Sequence, residues 1–165
     1  MKHLPRGVRA PIFELKTADG LTCSLEEGLS VGLVVLAFYK SSCPTSQFTL
    51  PYFQKIYAEI GAASTTKLWG VSQDDPNETK KFIKEYGLTF DVLIDEHPYH
   101  VSSAYGLEYV PTMFIVGRDG IILLSDSGFT KPSLMAVSKV VAEGASRPPI
   151  ELFTLNDGLP ASRPG

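Results

Sequence analysis

The chain has 165 residues, 44% apolar and 20% charged, with a formal net charge of −3. That length supports one domain with a hydrophobic core of its own, and two cysteines are too few for a secreted disulfide framework. The acidic balance and the lack of any Lys/Arg cluster exclude a nucleic-acid footprint, and the longest apolar run, Leu29 to Tyr39, falls well short of the ~20 residues of a membrane span.

Near the N-terminus Lys2, His3, Arg6 and Arg9 alternate with Pro5 and Gly7, and no hydrophobic signal region follows, so the sequence reads as cytoplasmic. Ile12–Leu15 and Leu21–Leu25 flank Asp19-Gly20, a hairpin signal. Leu33 to Tyr39 lacks polar alternation, the pattern of a central strand buried on both faces. A helix then runs to about Ile60, with Phe53, Ile56, Tyr57 and Ile60 at helical spacing, Pro51 predicted to kink it and Gly61 as its stop.

Lys67 to Gln73 is the next strand. Asp75-Pro76-Asn77-Glu78 supplies an N-cap, a first-turn proline and an acid at the third position, and Gly87 ends that helix. Phe90 to Ile94 reads as a short strand, and a short helix is expected from about His97 to Tyr105. Thr112–Val116 and Ile121–Leu124 bracket Arg118-Asp119-Gly120 as a second hairpin, and a last helix covers about Pro132 to Glu143. Residues 1–146 thus form the expected domain. A tail over 147–165, with prolines at 148, 149, 160 and 164, is read as either an extended strap or a loose segment. Strands alternating with helices, closed by a hairpin, predict an α/β architecture with a mixed sheet.

Cys43 stands where the buried strand turns into a helix. Unpaired N–H groups and the helix dipole at such a position favour a thiolate, the nucleophilic form. Ser46, three residues on, shares that helical face at the spacing of a C-x-x-C redox pair, with a hydroxyl replacing the second sulfur. The competing reading for any lone cysteine is inert core filler. Placement at a helix mouth before Pro44 favours the reactive one for Cys43, whereas Cys23, on an early strand, reads as filler.

Five landmarks give the chain a resemblance to the thioredoxin-like redoxins, closest to the TlpA-type thiol-disulfide oxidoreductases and the AhpC/TSA redoxins. Phe38-Tyr39-Lys40-Ser41-Ser42-Cys43-Pro44-Thr45-Ser46 resembles their F-W-x-x-W-C-P-x-C segment, and Pro51 their helix-kinking proline. Gly70–Asp75 resembles their second central strand. Tyr105-Gly106-Leu107-Glu108-Tyr109-Val110-Pro111-Thr112 resembles Y-G-x-x-x-V-P-T, and Gly117–Gly120 their hairpin turn.

The resemblance implies a thioredoxin fold with Cys43 as attacking thiol and Pro111 as a cis-proline facing it. Val110 becomes the backbone edge for an extended substrate, with Ser42, Pro44, Thr45 and Thr112 around it. Three departures stand out. Ser46 replaces the resolving cysteine; it can hydrogen-bond the thiolate but cannot attack a mixed disulfide. Ala37 stands where thioredoxins carry a buried aspartate, and Thr49 where TlpA-type proteins carry a glutamate.

The implied function is thiol-disulfide exchange in redox homeostasis through one cysteine in a C-P-T-S motif. Its partners are protein or small-molecule thiols and disulfides, and an external thiol such as glutathione performs resolution. No cofactor or metal is expected; His97 and His100 have metal-compatible spacing but read as exposed helix residues without a third ligand. A non-catalytic groove that binds by strand addition is the alternative. A peroxidase is disfavoured, because Lys40 stands where peroxiredoxins place Thr or Ser, and Arg118 lies in a turn.

Overall fold

The computed structural model describes residues 3–165, and its frame is strand β3 (Val34–Tyr39), every residue of which is buried. Six consecutive non-alternating residues of this kind need cover on both faces. Val35, Ala37 and Tyr39 pack beneath helices α2 (Pro44–Ile60) and α5 (Lys131–Gly144), against Leu50, Phe53, Val137 and Val141. Val34, Leu36 and Phe38 meet Leu25, Trp69, Tyr105 and Phe114 on the other face. Each large apolar side chain buried this way contributes about 1.5–3 kcal/mol, so the end of β3 is a firm platform.

Strand β4 (Lys67–Ser72) runs parallel to β3 on one side, and β6 (Thr112–Val116) antiparallel on the other. Beyond β4 lies β5 (Val92–Ile94), then the hairpin β1 (Glu14–Thr17) and β2 (Thr22–Ser24); β7 (Ile122–Ser127) closes the far edge. The sheet order is β2-β1-β5-β4-β3-β6-β7. This is the mixed sheet flanked by helices that the element pattern implies.

Two helices, the first and the fourth in chain order, differ from the expectation. Helix α1 (Leu25–Val31) has no counterpart in it; Ser24 caps this helix by accepting from the Glu27 N–H at 3.1 Å. Helix α3 (Pro76–Tyr86) starts on the Asp75 carboxylate, which accepts from the Glu78 N–H at 2.8 Å, and stops at Gly87, φ 64°. Helix α4 spans only His100–Ala104, because Tyr99 takes a left-handed backbone, φ 59°, that a helix interior does not contain. His97 is therefore in the preceding turn and not on a helix. Helix α2 is continuous through Pro51, which has no N–H to offer the Gln47 carbonyl.

The chain beyond α5 packs as a strap. Ser138 Oγ donates to the Ile150 carbonyl and accepts from its N–H, both at 3.2 Å, and Leu152 is buried. Strand β8 (Phe129–Thr130) pairs with β9 (Ser162–Arg163). Among the described residues no helix is long and apolar enough to cross a membrane.

Candidate active site

After Tyr39 the chain turns through residues 40–42 to Cys43, the N-cap of α2, whose backbone is extended (φ −86°, ψ 118°). Three hydrogen bonds fix this turn: the Cys43 N–H donates to the Lys40 carbonyl at 3.1 Å, the Ser41 N–H to Asp74 Oδ2 at 2.8 Å, and the Gln47 amide to the Ser41 carbonyl at 2.8 Å. Asp74 is itself held by Ser72, whose hydroxyl accepts from the Asp74 N–H at 3.1 Å. Asp74 and Gln47 thus position the cysteine loop. Gln47, one turn after Cys43, was readable as a helix-entry side chain; the Asp74 contact spans 33 residues and has no local signal.

Because β6 runs antiparallel to β3, its start is delivered beside the end of β3, with Thr112 paired to Phe38. The residues just before it, Val110 and Pro111, therefore face Cys43. Their peptide bond is cis, and the Cys43 thiol donates to the Val110 carbonyl at 3.3 Å. The Gly128 N–H donates to the Pro111 carbonyl at 2.7 Å, closing the loop from behind. Cys43 is half-buried between exposed Ser42 and Pro44. Pro44 has no N–H, so Thr45 and Ser46 supply the first-turn N–H groups without intrahelical partners.

Other expected members are placed differently. Ser46 is 0% exposed and accepts from the Lys40 N–H at 3.4 Å; among the described residues no hydrogen bond joins it to Cys43. Its role is to hold the turn beneath the sulfur. Thr112 is 1% exposed and its hydroxyl donates to the Tyr109 carbonyl at 2.7 Å, so it shapes the Val110–Pro111 turn and does not face the groove. Thr45 is buried with its hydroxyl donated to the Pro164 carbonyl at 2.7 Å, a contact with the strap. Thr49 and Ala37 are also buried, leaving no carboxylate at either position beneath the helix.

Cys23 sits on β2, four strand positions from β3 in the sheet order. At about 4.8 Å per strand that is roughly 19 Å, whereas a disulfide needs Cα atoms within about 7 Å. Burial pushes the Cys23 thiol pKa up, and the nearby Asp91 and Glu27 carboxylates push it further, against Lys67. Cys23 is neither a partner for Cys43 nor a ready nucleophile. Among the described residues no cluster of three or more His, Cys, Asp or Glu side chains is disposed to hold a metal ion.

The sulfur is half-buried beside the Val110 carbonyl. Two hollows of about 530 Å³ lie elsewhere, one lined by Phe13, Asp95 and His97, the other by Thr17, Lys80 and Phe90.

A family model described as the AhpC/TSA family matches residues 7–125, more than half of the sequence. The chain belongs to the AhpC/TSA family. The thiol-disulfide oxidoreductase ResA of Halalkalibacterium halodurans is 29% identical over 123 residues, 74% of this chain and 68% of that protein. Among solved structures, the thioredoxin domain of a thiol-disulfide oxidoreductase from Bacteroides vulgatus superposes with a TM-score of 0.72 at 22% identity, over 84% of this chain and 99% of its own. Peroxidoxin BcpB from Mycobacterium tuberculosis gives 0.66 at 25% identity, over 87% and 98%. The fold is thioredoxin-like. Within that frame this AhpC/TSA member carries a sulfur at position 43 and a hydroxyl at 46.

Proposed function

We propose that the protein is a thiol-disulfide oxidoreductase of the redoxin type that acts through Cys43 alone. The observation that carries this reading is the half-exposed Cys43 sulfur at the mouth of α2, bonded to the carbonyl beside cis Pro111, with the chain's other cysteine across the sheet. The family and the named activity of the ResA relative support it.

The Cys43 thiolate attacks one sulfur of a substrate disulfide lying along Val110–Pro111. The S–S bond breaks, its electron pair leaves on the second substrate sulfur, and that thiolate takes a proton from water. Ser46 cannot repeat the attack, so the mixed disulfide waits for an external thiol of the glutathione class. One such thiolate attacks the Cys43 sulfur and releases the bound substrate thiol. A second frees Cys43 and leaves the external thiol as its own disulfide. Ser42 and Pro44 flank the sulfur, and the Thr45 hydroxyl, donated to the Pro164 carbonyl, reaches a substrate carbonyl once that contact opens.

The likeness to a peroxidoxin raises a peroxidase as the second reading. Arg118 does not serve it: its guanidinium donates to the Ser30 carbonyl at 3.0 Å, in the turn beyond the opposite end of β6 from Pro111. The test is insulin-type disulfide reduction with graded glutathione, beside Cys43→Ser. Turnover that needs glutathione and vanishes in the variant supports exchange. Turnover that survives Cys43→Ser, or peroxide consumption outpacing disulfide reduction, overturns it. An adduct without turnover identifies a binding module instead.

A further inference from the structure

The geometry points to the strap's last residues as an occupant of the substrate groove, a built-in competitor that leaves before an extended disulfide-bearing peptide reaches Cys43. This rests on the exchange reading for its choice of substrate, but the occupancy stands on contacts of its own.

The strap is clamped upstream of the site. Lys131 Nζ donates to Asp157 Oδ1 at 2.9 Å and to the Leu159 carbonyl at 3.1 Å, and the Lys131 N–H donates to the Ala161 carbonyl at 2.9 Å. From there β9 pairs with β8, and the Arg163 guanidinium lies 5.1 Å from the centre of the Phe48 ring on α2. The Pro164 carbonyl then accepts the Thr45 hydroxyl at 2.7 Å, two residues along the chain from Cys43. Gly165 comes so close to Val110 that a side-chain carbon there would collide with the Val110 carbonyl oxygen. That same oxygen accepts the Cys43 thiol. The strap's end and the reactive sulfur therefore share one backbone edge, the edge that an incoming extended segment needs.

The segment is built to come off. Residues 160–165 are all exposed, so lifting them uncovers little apolar surface, and a two-residue ladder is marginal by itself. Leu152 is buried and Phe153 packs against Phe129, which anchors the rest of the tail while its end opens. The occupant also indicates what displaces it: an extended polypeptide that gives a backbone carbonyl to Thr45 and places a small residue against Val110.

The test uses the full chain with Gly165→Val, whose added side chain cannot stay against Val110, and separately Arg163→Ala. Cys43 labelling by a bulky maleimide and mixed-disulfide formation with a disulfide-linked extended peptide are followed by peptide mass, with Cys23 labelling as the internal check on folding. Both variants are expected to raise the Cys43 rates about threefold to tenfold, the factor one neutral hydrogen bond is worth in an opening equilibrium, with Cys23 unchanged. Cys43 rates within twofold of the parent in both variants overturn the inference. Faster maleimide labelling with no peptide adduct in any form keeps the strap and removes the exchange reading.

Discussion

Ser46→Cys restores a second sulfur where the site has a hydroxyl. Residues three apart on a helix have Cβ atoms about 5–6 Å apart, and a disulfide needs about 3.5–4.5 Å, so the pair closes with a movement of about 1–2 Å. Cys43 is free to make it, because as N-cap it is extended and lies outside the helical ladder except for its carbonyl, which accepts from the Gln47 N–H at 3.0 Å. The exchange removes the acceptor of one long bond, from the Lys40 N–H at 3.4 Å. Its cost is about 1 kcal/mol, against the roughly 5–15 kcal/mol of a typical domain, so the variant stays folded. A neighbouring thiol at an effective concentration of only about 1 M outruns about 1 mM external thiol by roughly a thousandfold. Release of the substrate should then no longer depend on glutathione in a stopped-flow insulin assay. A folded variant that forms the internal disulfide yet still releases substrate only in proportion to added glutathione refutes the reasoning. The missing carboxylate at Thr49 then becomes the better explanation.

Asp95→Ala removes a buried carboxylate that accepts from the Val101 and Ser102 N–H groups at 3.2 and 2.7 Å, and should cost about 2 kcal/mol, read as a lower urea midpoint at unchanged slope. Thr49→Val replaces a buried hydroxyl without a hydrogen-bond partner among the described residues; the shape is kept, so stability should hold or rise by about 1 kcal/mol, and a loss of that size in thermal unfolding would contradict it. The Leu159 N–H and then Lys131 hold the Asp157 pKa below its usual 3.8. A lowered folded value means the clamp is complete above 3.8 and is lost as pH falls through that lower value. The Leu159 and Arg163 amide shifts should therefore move together in acid, and should show no such step in Asp157→Asn.

What the sequence disclosed was whatever local chemistry decides. Helix α3 could be read to the residue because its cap, first-turn proline and terminal glycine are all contiguous, and β3 because apolar residues without alternation admit only a doubly covered strand. Helix α1 was missed although Ser24 and Glu27 stand at capping-box spacing, since its residues merge into the apolar run that ends in β3. The late start of α4 rests on a left-handed Tyr99, a residue type that gives no warning of it. At the site, Cys43 and Pro111 were visible as motif residues. Asp74 was not visible as the anchor of Ser41, nor Thr112 as a buried residue, because register across the sheet decides both. The strap carries no periodicity at all; its course is set by single contacts to Lys131, Phe48 and Thr45.

The most direct measurement is intact mass followed by peptide mapping after the full chain meets a peptide disulfide and all small thiols are removed. One adduct on Cys43 that persists until glutathione is added, with Cys23 unmodified, is the predicted result. An adduct that disappears without added thiol, an adduct on Cys23, or no adduct at all would contradict a single-sulfur exchange site.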